Sequence, residues 1–274
     1  MVNLNILNSF KKENYFSKPF PHFVLKKSFD DHTYNLLEKD YNLIINYLEK
    51  KYSFSKSNIR LQISSTEIMK IELFKKTIWF DFINFHTSNI FFNTLLNIFE
   101  KDIILTYPKA KIDLNKKKLS VRSNFEDNKK SNYVIDCQPG INTPNNKLSA
   151  VRGPHVDNPV ELIAGLFYLK DSRDKSFGGD LNIYEKKNKI YFKDKAEVMN
   201  ISDLKLFKSI TYEKNKSIFF LNSLNSIHSV SERSPSKFTR NLINFIIENY
   251  NQEGYFKLPR KKNFTNIISK FFKR

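Results

Sequence analysis

The chain has 274 residues, 40% of them hydrophobic, with 26 Phe and 13 Tyr, enough for one well-buried core or one domain with a helical annex. Lys and Arg outnumber Asp and Glu by 46 to 28, a net charge of +18; the lysines are spread along the whole chain beside abundant Asn, Ile and Phe, which reads as compositional bias rather than a binding patch, so a nucleic-acid partner is not expected. Cys137 is the only cysteine, which excludes an intrachain disulfide; residues 1–10 carry no secretory pattern and no apolar run approaches the ~18–20 residues of a membrane span, so a cytoplasmic location is expected.

The first part of the chain reads mainly as helix. Residues 20–25, Phe-Pro-His-Phe-Val-Leu, predict a short strand. Asp30 or Asp31 can cap a helix in which Leu37, Tyr41, Ile44 and Leu48 recur at helical spacing. Ser65 with Ile68, Ile71 and Phe74 predicts a second helix, and Ser88 caps a third that carries Phe91 or Phe92, Leu95 and Phe99 on one face. Such stripes pack on a sheet and serve as scaffold.

The texture changes after the basic turn of Asn115, Lys116, Lys117 and Lys118. Short segments rich in Val, Ile, Phe and Tyr follow, separated by Gly, Pro, Asn and Asp, and predict strands at 133–137, 162–169, 181–184, 217–221, 227–230 and 241–248. Many short strands without intervening helices indicate a sandwich, barrel or jelly roll. Residues 255–274 hold seven basic residues and no acidic one, with Ile267, Ile268, Phe271 and Phe272 at near-helical spacing. A helix docked on the domain by its apolar edge is the favoured reading there; contact with an anionic membrane surface or an acidic partner is the alternative.

The chemistry concentrates in Arg152-Gly153-Pro154-His155-Val156-Asp157, read with His228 and Arg240. A His-x-Asp pair and one later histidine offer a metal two imidazoles and a carboxylate, leaving positions open for a co-substrate and oxygen on non-haem Fe(II). Arg240 opens an apolar run and can hold a carboxylate by a bidentate, charge-assisted pair. Arg233 is a rival for that role, and Arg152 either meets an anionic substrate group or lies on the surface. His22, His32 and His86 lack a matching carboxylate and are not expected to bind metal. There is no phosphate loop, no dinucleotide fingerprint and no Cys-x-x-Cys; Ser229 beside His228 lacks an oxyanion motif.

The run His155-Val156-Asp157-Asn158-Pro159, then Gly165 to Leu169, Gly178-Gly179-Asp180-Leu181-Asn182-Ile183-Tyr184, Ile218 to Leu221, His228-Ser229-Val230 and Thr239 to Ile243 resembles, in that order, the catalytic domain of Fe(II)/2-oxoglutarate-dependent oxygenases, nearest the prolyl-hydroxylase-like branch. The resemblance covers about 131–249; 18–24 and 79–88 are more loosely similar to the helical N-terminal part of such enzymes, and the last residues lie outside it. It implies an α+β chain with a mainly β core: one oxygenase domain made of a helical layer over 19–115, a double-stranded β-helix (jelly roll, cupin-like) over 118–250 and a basic tail over 251–274. It implies that His155, Asp157 and His228 hold Fe(II), that Arg240 and Tyr168 bind the distal carboxylate of 2-oxoglutarate, and that Gly178 and Gly179 form a hairpin turn with positive φ. Partners would be 2-oxoglutarate, O2 and a primary substrate (protein side chain, small molecule or surface-sugar or lipid precursor), with ascorbate as a reductant and succinate and CO2 as products. Related iron halogenases lack the carboxylate; Asp157 is present, which favours hydroxylation. The span from His228 to Arg240 is longer than in the prolyl-hydroxylase branch, and the stretch from Asn158 to Ile163 leaves little room for a substrate loop. The reading from another class is a non-catalytic jelly-roll module that binds carbohydrate or nucleic acid.

Overall fold

A computed structural model describes residues 2–54, 57–108, 118–123, 125–250 and 254–261. The elements run β1 (Tyr15–Phe16), β2 (His22–Leu25), α1 (Asp31–Tyr52), β3 (Arg60–Gln62), α2 (Ser65–Lys70), α3 (Ile78–His86), α4 (Asn89–Thr106), β4 (Leu119–Val121), α5 (Phe125–Asn128), β5 (Tyr133–Asn142), β6 (Glu161–Tyr168), β7 (Leu181–Lys186), β8 (Leu204–Ile210), β9 (Lys216–Leu221), β10 (His228–Val230) and β11 (Arg240–Glu248). The strands form a large sheet in the order β1-β2-β9-β6-β11-β5-β3, with β4 added beside β5, and a small sheet in the order β10-β7-β8. All pairings are antiparallel except β4 with β5. This is a jelly-roll core with a helical layer.

Strand periodicity explains the layering. Successive side chains of a strand face opposite sides. On β11, Ile243, Phe245 and Ile247 join Phe167 of β6, Phe219 of β9 and Ile135 of β5 in a core shared with Leu37, Tyr41, Phe82, Phe91 and Leu95 of the helices. The alternate residues face the small sheet, where Ala164, Ile218 and Phe220 pack on Leu181, Ile183 and Ile210. Arg240, Asn244 and Ile246 share that inner side and line a cavity between the sheets. The helices are pinned as well as packed: the Tyr41 hydroxyl accepts the Gly140 N–H at 3.0 Å and lies 2.8 Å from the carbonyls of Gly140 and Leu242.

Asp30 caps α1, its Oδ1 accepting the Thr33 N–H at 2.9 Å, and Ser88 caps α4. The second helix departs from the sequence reading. Capped by Ser64, it begins at Ser65 but stops at Lys70, with Ile71 extended. The Ser65 hydroxyl is instead tied to the sheet, 2.8 Å from Asp136 Oδ1 and 2.8 Å from the Cys137 N–H. β5 runs past 137 through Pro139 and Gly140, since β11 and β3 pair with its two sides there. β3, β4 and β8 carry no readable alternation; β8 is an edge strand with residues 205–209 all exposed.

Gly178 and Gly179 have φ of 77° and 74°, as their sequence suggested, but they do not make a hairpin: β6 and β7 lie in different sheets. They carry the chain from one sheet to the other. A Cβ at Gly178 would lie 1.8 Å from the Glu232 carbonyl oxygen, so only glycine passes there. Of the basic tail, Tyr255 docks on the domain, its N–H donating to Pro159 at 2.7 Å, and Pro259 accepts from the Phe192 N–H at 2.9 Å. Ile267, Ile268, Phe271 and Phe272, and the turn residues 115–117, lie outside the described residues. Among those described, no helix is long and apolar enough to cross a membrane.

Candidate metal and co-substrate site

His155 and His228 are placed by backbone before side chains. Each donates its N–H to the other's carbonyl at 2.9 Å, which sets the two rings side by side with centroids 4.3 Å apart. Val156 and Ile227, their chain neighbours, are buried in one apolar cluster with Ile190 and Phe192, and this alternation turns both imidazoles and Asp157 the other way, into the cavity. Asp157 Oδ1 lies 3.7 Å from Nε2 of each histidine. The three ligand atoms sit within 4.8 Å of one another, the one such group of His, Cys, Asp or Glu side chains among the described residues. Adjacent ligands about 2.1 Å from an ion lie roughly 3–3.5 Å apart, so small side-chain rotations close the set on a metal.

The tautomers suit that role. Nδ1 of His155 is 2.7 Å from the Gly153 carbonyl and Nδ1 of His228 is 2.8 Å from the Ser226 carbonyl. Each Nδ1 must carry the proton, leaving both Nε2 lone pairs facing Asp157. Burial, then the nearby His228, Arg152 and Arg60, hold the His155 imidazole well below its ordinary value, so it stays neutral, the form that binds metal.

At the other end of the cavity, Arg240 is 2% exposed. Its Nε donates to the Gly179 carbonyl at 2.8 Å and its Nη1 to Asn142 Oδ1 at 3.3 Å. The guanidinium lies over the rings of Tyr168 (5.1 Å) and Tyr212 (4.8 Å). Three buried polar groups around it have no hydrogen-bond partner: Arg240 Nη2, Tyr168 Oη and Asn142 Nδ2. All can donate, and buried donors of this kind are rarely left unpaired. Two of them, Arg240 Nη2 and Asn142 Nδ2, belong to residues that line the cavity, where an anionic oxygen would find donors.

Arg233 is placed elsewhere. It is 1% exposed and committed to packing: Nη2 pairs with Asp174 Oδ2 at 2.8 Å and with the Phe238 carbonyl at 2.9 Å, and Nε donates to Ser176 Oγ at 3.1 Å. Only its Nη1 lacks a partner, and it does not line the cavity. Arg152 does line it, with Nη2 on the Lys195 carbonyl at 2.7 Å. His86 is buried among Phe82, Phe91 and Phe245, and His22 stacks on Phe16; neither approaches the triad.

The cavity holds about 320 Å³, within the range of small-molecule sites. Several of its polar lining residues escaped the sequence reading, among them Arg60, Arg122, Asn142 and Glu161. Arg122 is paired with Glu248, Nε to Oε2 at 2.9 Å. Burial, with Asp157 and Glu248 nearby, raises the Glu161 carboxyl well above its ordinary value. No sequence signal marked these residues, because strand pairing, not local pattern, brings them inside.

No protein-family model and no curated protein sequence matches this chain. Solved structures of similar outline include a prolyl 4-hydroxylase from Phytophthora capsici (12% identity, 91% of this chain and 66% of that one, TM-score 0.48) and a prolyl-4-hydroxylase from Pseudomonas putida (10%, 83% and 92%, TM-score 0.43). A prolyl hydroxylase from Trichoplax adhaerens, solved with a hypoxia inducible factor peptide fragment, is similar at 13% identity over 90% of this chain and 87% of that one, TM-score 0.41. At such identities and scores the functional reading rests on the geometry of this site.

Proposed function

We propose that the chain is an Fe(II)- and 2-oxoglutarate-dependent dioxygenase that hydroxylates a C–H bond of a primary substrate and releases succinate and CO2. His155, Asp157 and His228 would hold the iron; Arg240, Tyr168 and Asn142 would hold the distal carboxylate of 2-oxoglutarate. One observation carries the reading. Two imidazoles with fixed, metal-ready Nε2 atoms and a carboxylate share a cavity with a buried arginine whose Nη2, like the neighbouring Asn142 Nδ2, lacks a hydrogen-bond partner. A binding module for carbohydrate or nucleic acid has no use for that combination.

Bound iron supplies the oxygen chemistry that side chains cannot. The protein's part is position and exclusion. The Gly153 and Ser226 carbonyls orient the imidazoles. Asp157 would balance one charge of a dication held with the two imidazoles. Arg240, held at Nε by Gly179, fixes the far end of the co-substrate. Leu166, Leu181, Phe220 and Ile246 keep the walls between apolar. Helices α1 to α4 form the helical layer of this oxygenase domain, while β2 and β3 from the same part of the chain join the large sheet of its core.

The test is purified protein with Fe(II), 2-oxoglutarate and O2, followed by succinate release without added substrate. Slow turnover that His155→Ala abolishes is expected. Absence of both succinate and 2-oxoglutarate binding refutes the assignment.

A further inference from the structure

Four arginines line the cavity: Arg60, Arg122, Arg152 and Arg240. Arg122 is neutralised by Glu248, with Asp136 3.9 Å away, and Arg240 is the co-substrate anchor of the proposed function. Arg60 and Arg152 remain without an acidic partner among the described residues. Arg60 Nε donates to Gln62 Oε1 at 3.1 Å and Arg152 Nη2 to the Lys195 carbonyl; neither bond offsets a charge. Burial, then Arg240, pushes the Arg60 guanidinium down to about 10. Both line the same cavity as His155, Asp157 and His228. Two half-buried guanidiniums that line one pocket without an ion-pair partner favour an anion bound there.

Register separates the two anion positions. Arg60 and Arg240 pair with the same residue, Asn142, from opposite sides, so their backbones stand about 9–10 Å apart, two strand spacings. Glu161 cannot serve Arg60: it pairs with Glu248, at the opposite end of β11 from Arg240. With the centre loaded, the metal dication, Asp157, the 2-oxoglutarate dianion and Arg240 cancel. The charges of Arg60 and Arg152 are then left over.

Resting on the oxygenase reading, we infer that Arg60, aided by Arg152, forms a second anion site that selects a primary substrate bearing a carboxylate or phosphate group. That group would dock at the cavity wall while a neighbouring C–H bond is presented to the metal centre. The oxygen atom comes from O2, and 2-oxoglutarate supplies the two remaining electrons as it is converted to succinate and CO2.

The experiment is calorimetric titration of full-length protein loaded with Zn(II), which does not turn over, and saturating 2-oxoglutarate. Inorganic phosphate and acetate are titrated separately, which shows which anion shape is preferred. Wild type should bind at least one of them. Arg60→Gln should weaken it about tenfold, the loss expected for one charge-assisted bond in a partly solvated site; Arg60→Lys should recover part, and Arg152→Gln should cause a smaller loss. The affinity for 2-oxoglutarate in Arg60→Gln should stay within about twofold of wild type, and its melting temperature should not fall. Equal anion binding by wild type and Arg60→Gln overturns the proposal, as does no anion binding once 2-oxoglutarate is saturating. So does an Arg60→Gln loss of 2-oxoglutarate itself as large as that of Arg240→Met. If wild type binds no 2-oxoglutarate, the oxygenase reading fails, while an Arg60-dependent anion signal in the same titration still upholds the anion site.

Discussion

Replacing Tyr168 by Phe separates a ligand-binding hydroxyl from a structural one by the sign of two effects. Tyr168 is fully buried and its Oη makes no well-formed hydrogen bond, the Arg240 guanidinium being the one donor near enough to act on it, while its ring packs under Arg240 and 5.3 Å from Tyr212. Phe keeps those ring contacts. A buried, unsatisfied polar group costs about 1–3 kcal/mol, so the ligand-free variant should be more stable by about that amount, a rise of roughly 2–10 °C in melting temperature for a domain of this size. In the complex the hydroxyl donates to a carboxylate, a bond worth about 1.5–3 kcal/mol. The dissociation constant of 2-oxoglutarate should therefore rise about 10- to 150-fold. Thermal melts of ligand-free protein, and calorimetry with Zn(II) and 2-oxoglutarate, read the two effects separately. Tyr41→Phe is the control. Its hydroxyl bridges Gly140 and Leu242, so its loss should lower stability by about 1–3 kcal/mol. A Tyr168→Phe protein that melts lower and binds 2-oxoglutarate normally would falsify the assignment of this pocket.

The two buried arginines should divide the same way. Arg240→Met should cut 2-oxoglutarate affinity by about 2–5 kcal/mol, with Arg240→Lys recovering only part, because an ammonium lacks the planar fork; Arg233→Met should instead destabilise the fold by about 3–5 kcal/mol by leaving Asp174 buried and unpaired. Calorimetry and denaturant melts on both variants check this, and a reversed pattern means the anchor is misassigned. His155→Ala and His228→Ala should each lose metal retention measured by elemental analysis after desalting, since two ligands hold a divalent ion poorly; normal metal content in both would sink the triad. Acid should destabilise the protein through His86, which burial pushes down to about 3. A depressed folded value means the contribution is present above the unfolded 6.5 and is lost as pH falls from there towards 3, about 5 kcal/mol in all. Urea midpoints between pH 7 and 4 should fall less steeply in His86→Leu than in wild type; parallel slopes would assign the acid sensitivity to other groups.

Those parts of the molecule set by local pattern were legible in the sequence. The stripe Leu37, Tyr41, Ile44, Leu48 and the caps Asp30 and Ser88 give α1 and α4, and the runs rich in Val, Ile, Phe and Tyr give the central strands within a few residues. His155, Asp157, His228 and Arg240 were legible through their order along the chain, and the structure brings them to one cavity, with Tyr168 behind its wall against Arg240. Arg60 and Asn142 were not. β3 is three residues long and exists because β5 offers it an edge; Asn142 lies beyond Pro139 and Gly140, where sequence alone ends the strand. The helix that sequence extends to Phe74 stops at Lys70, and its first residue, Ser65, is held to the sheet by Asp136 and Cys137. In each case a contact distant along the chain takes part, and no window of neighbours contains it.

The site also explains why its two ends depend on one crossing of the chain. The proposed metal ligands sit with the small sheet, through the pairing of His228 with Ile183, and the anchor sits on the large one, through β11. The chain passes between the sheets at Gly178 and Gly179, where positive φ and the Glu232 carbonyl leave no room for a side chain. The same Gly179 presents its carbonyl to Arg240 Nε, and a Cβ there would stand 3.1 Å from that nitrogen. The turn that lets the fold change sheets is thus the turn that aims the guanidinium at the cavity. Distance between metal and anchor, which decides whether one co-substrate can span both, is fixed by backbone geometry rather than by side-chain choice alone.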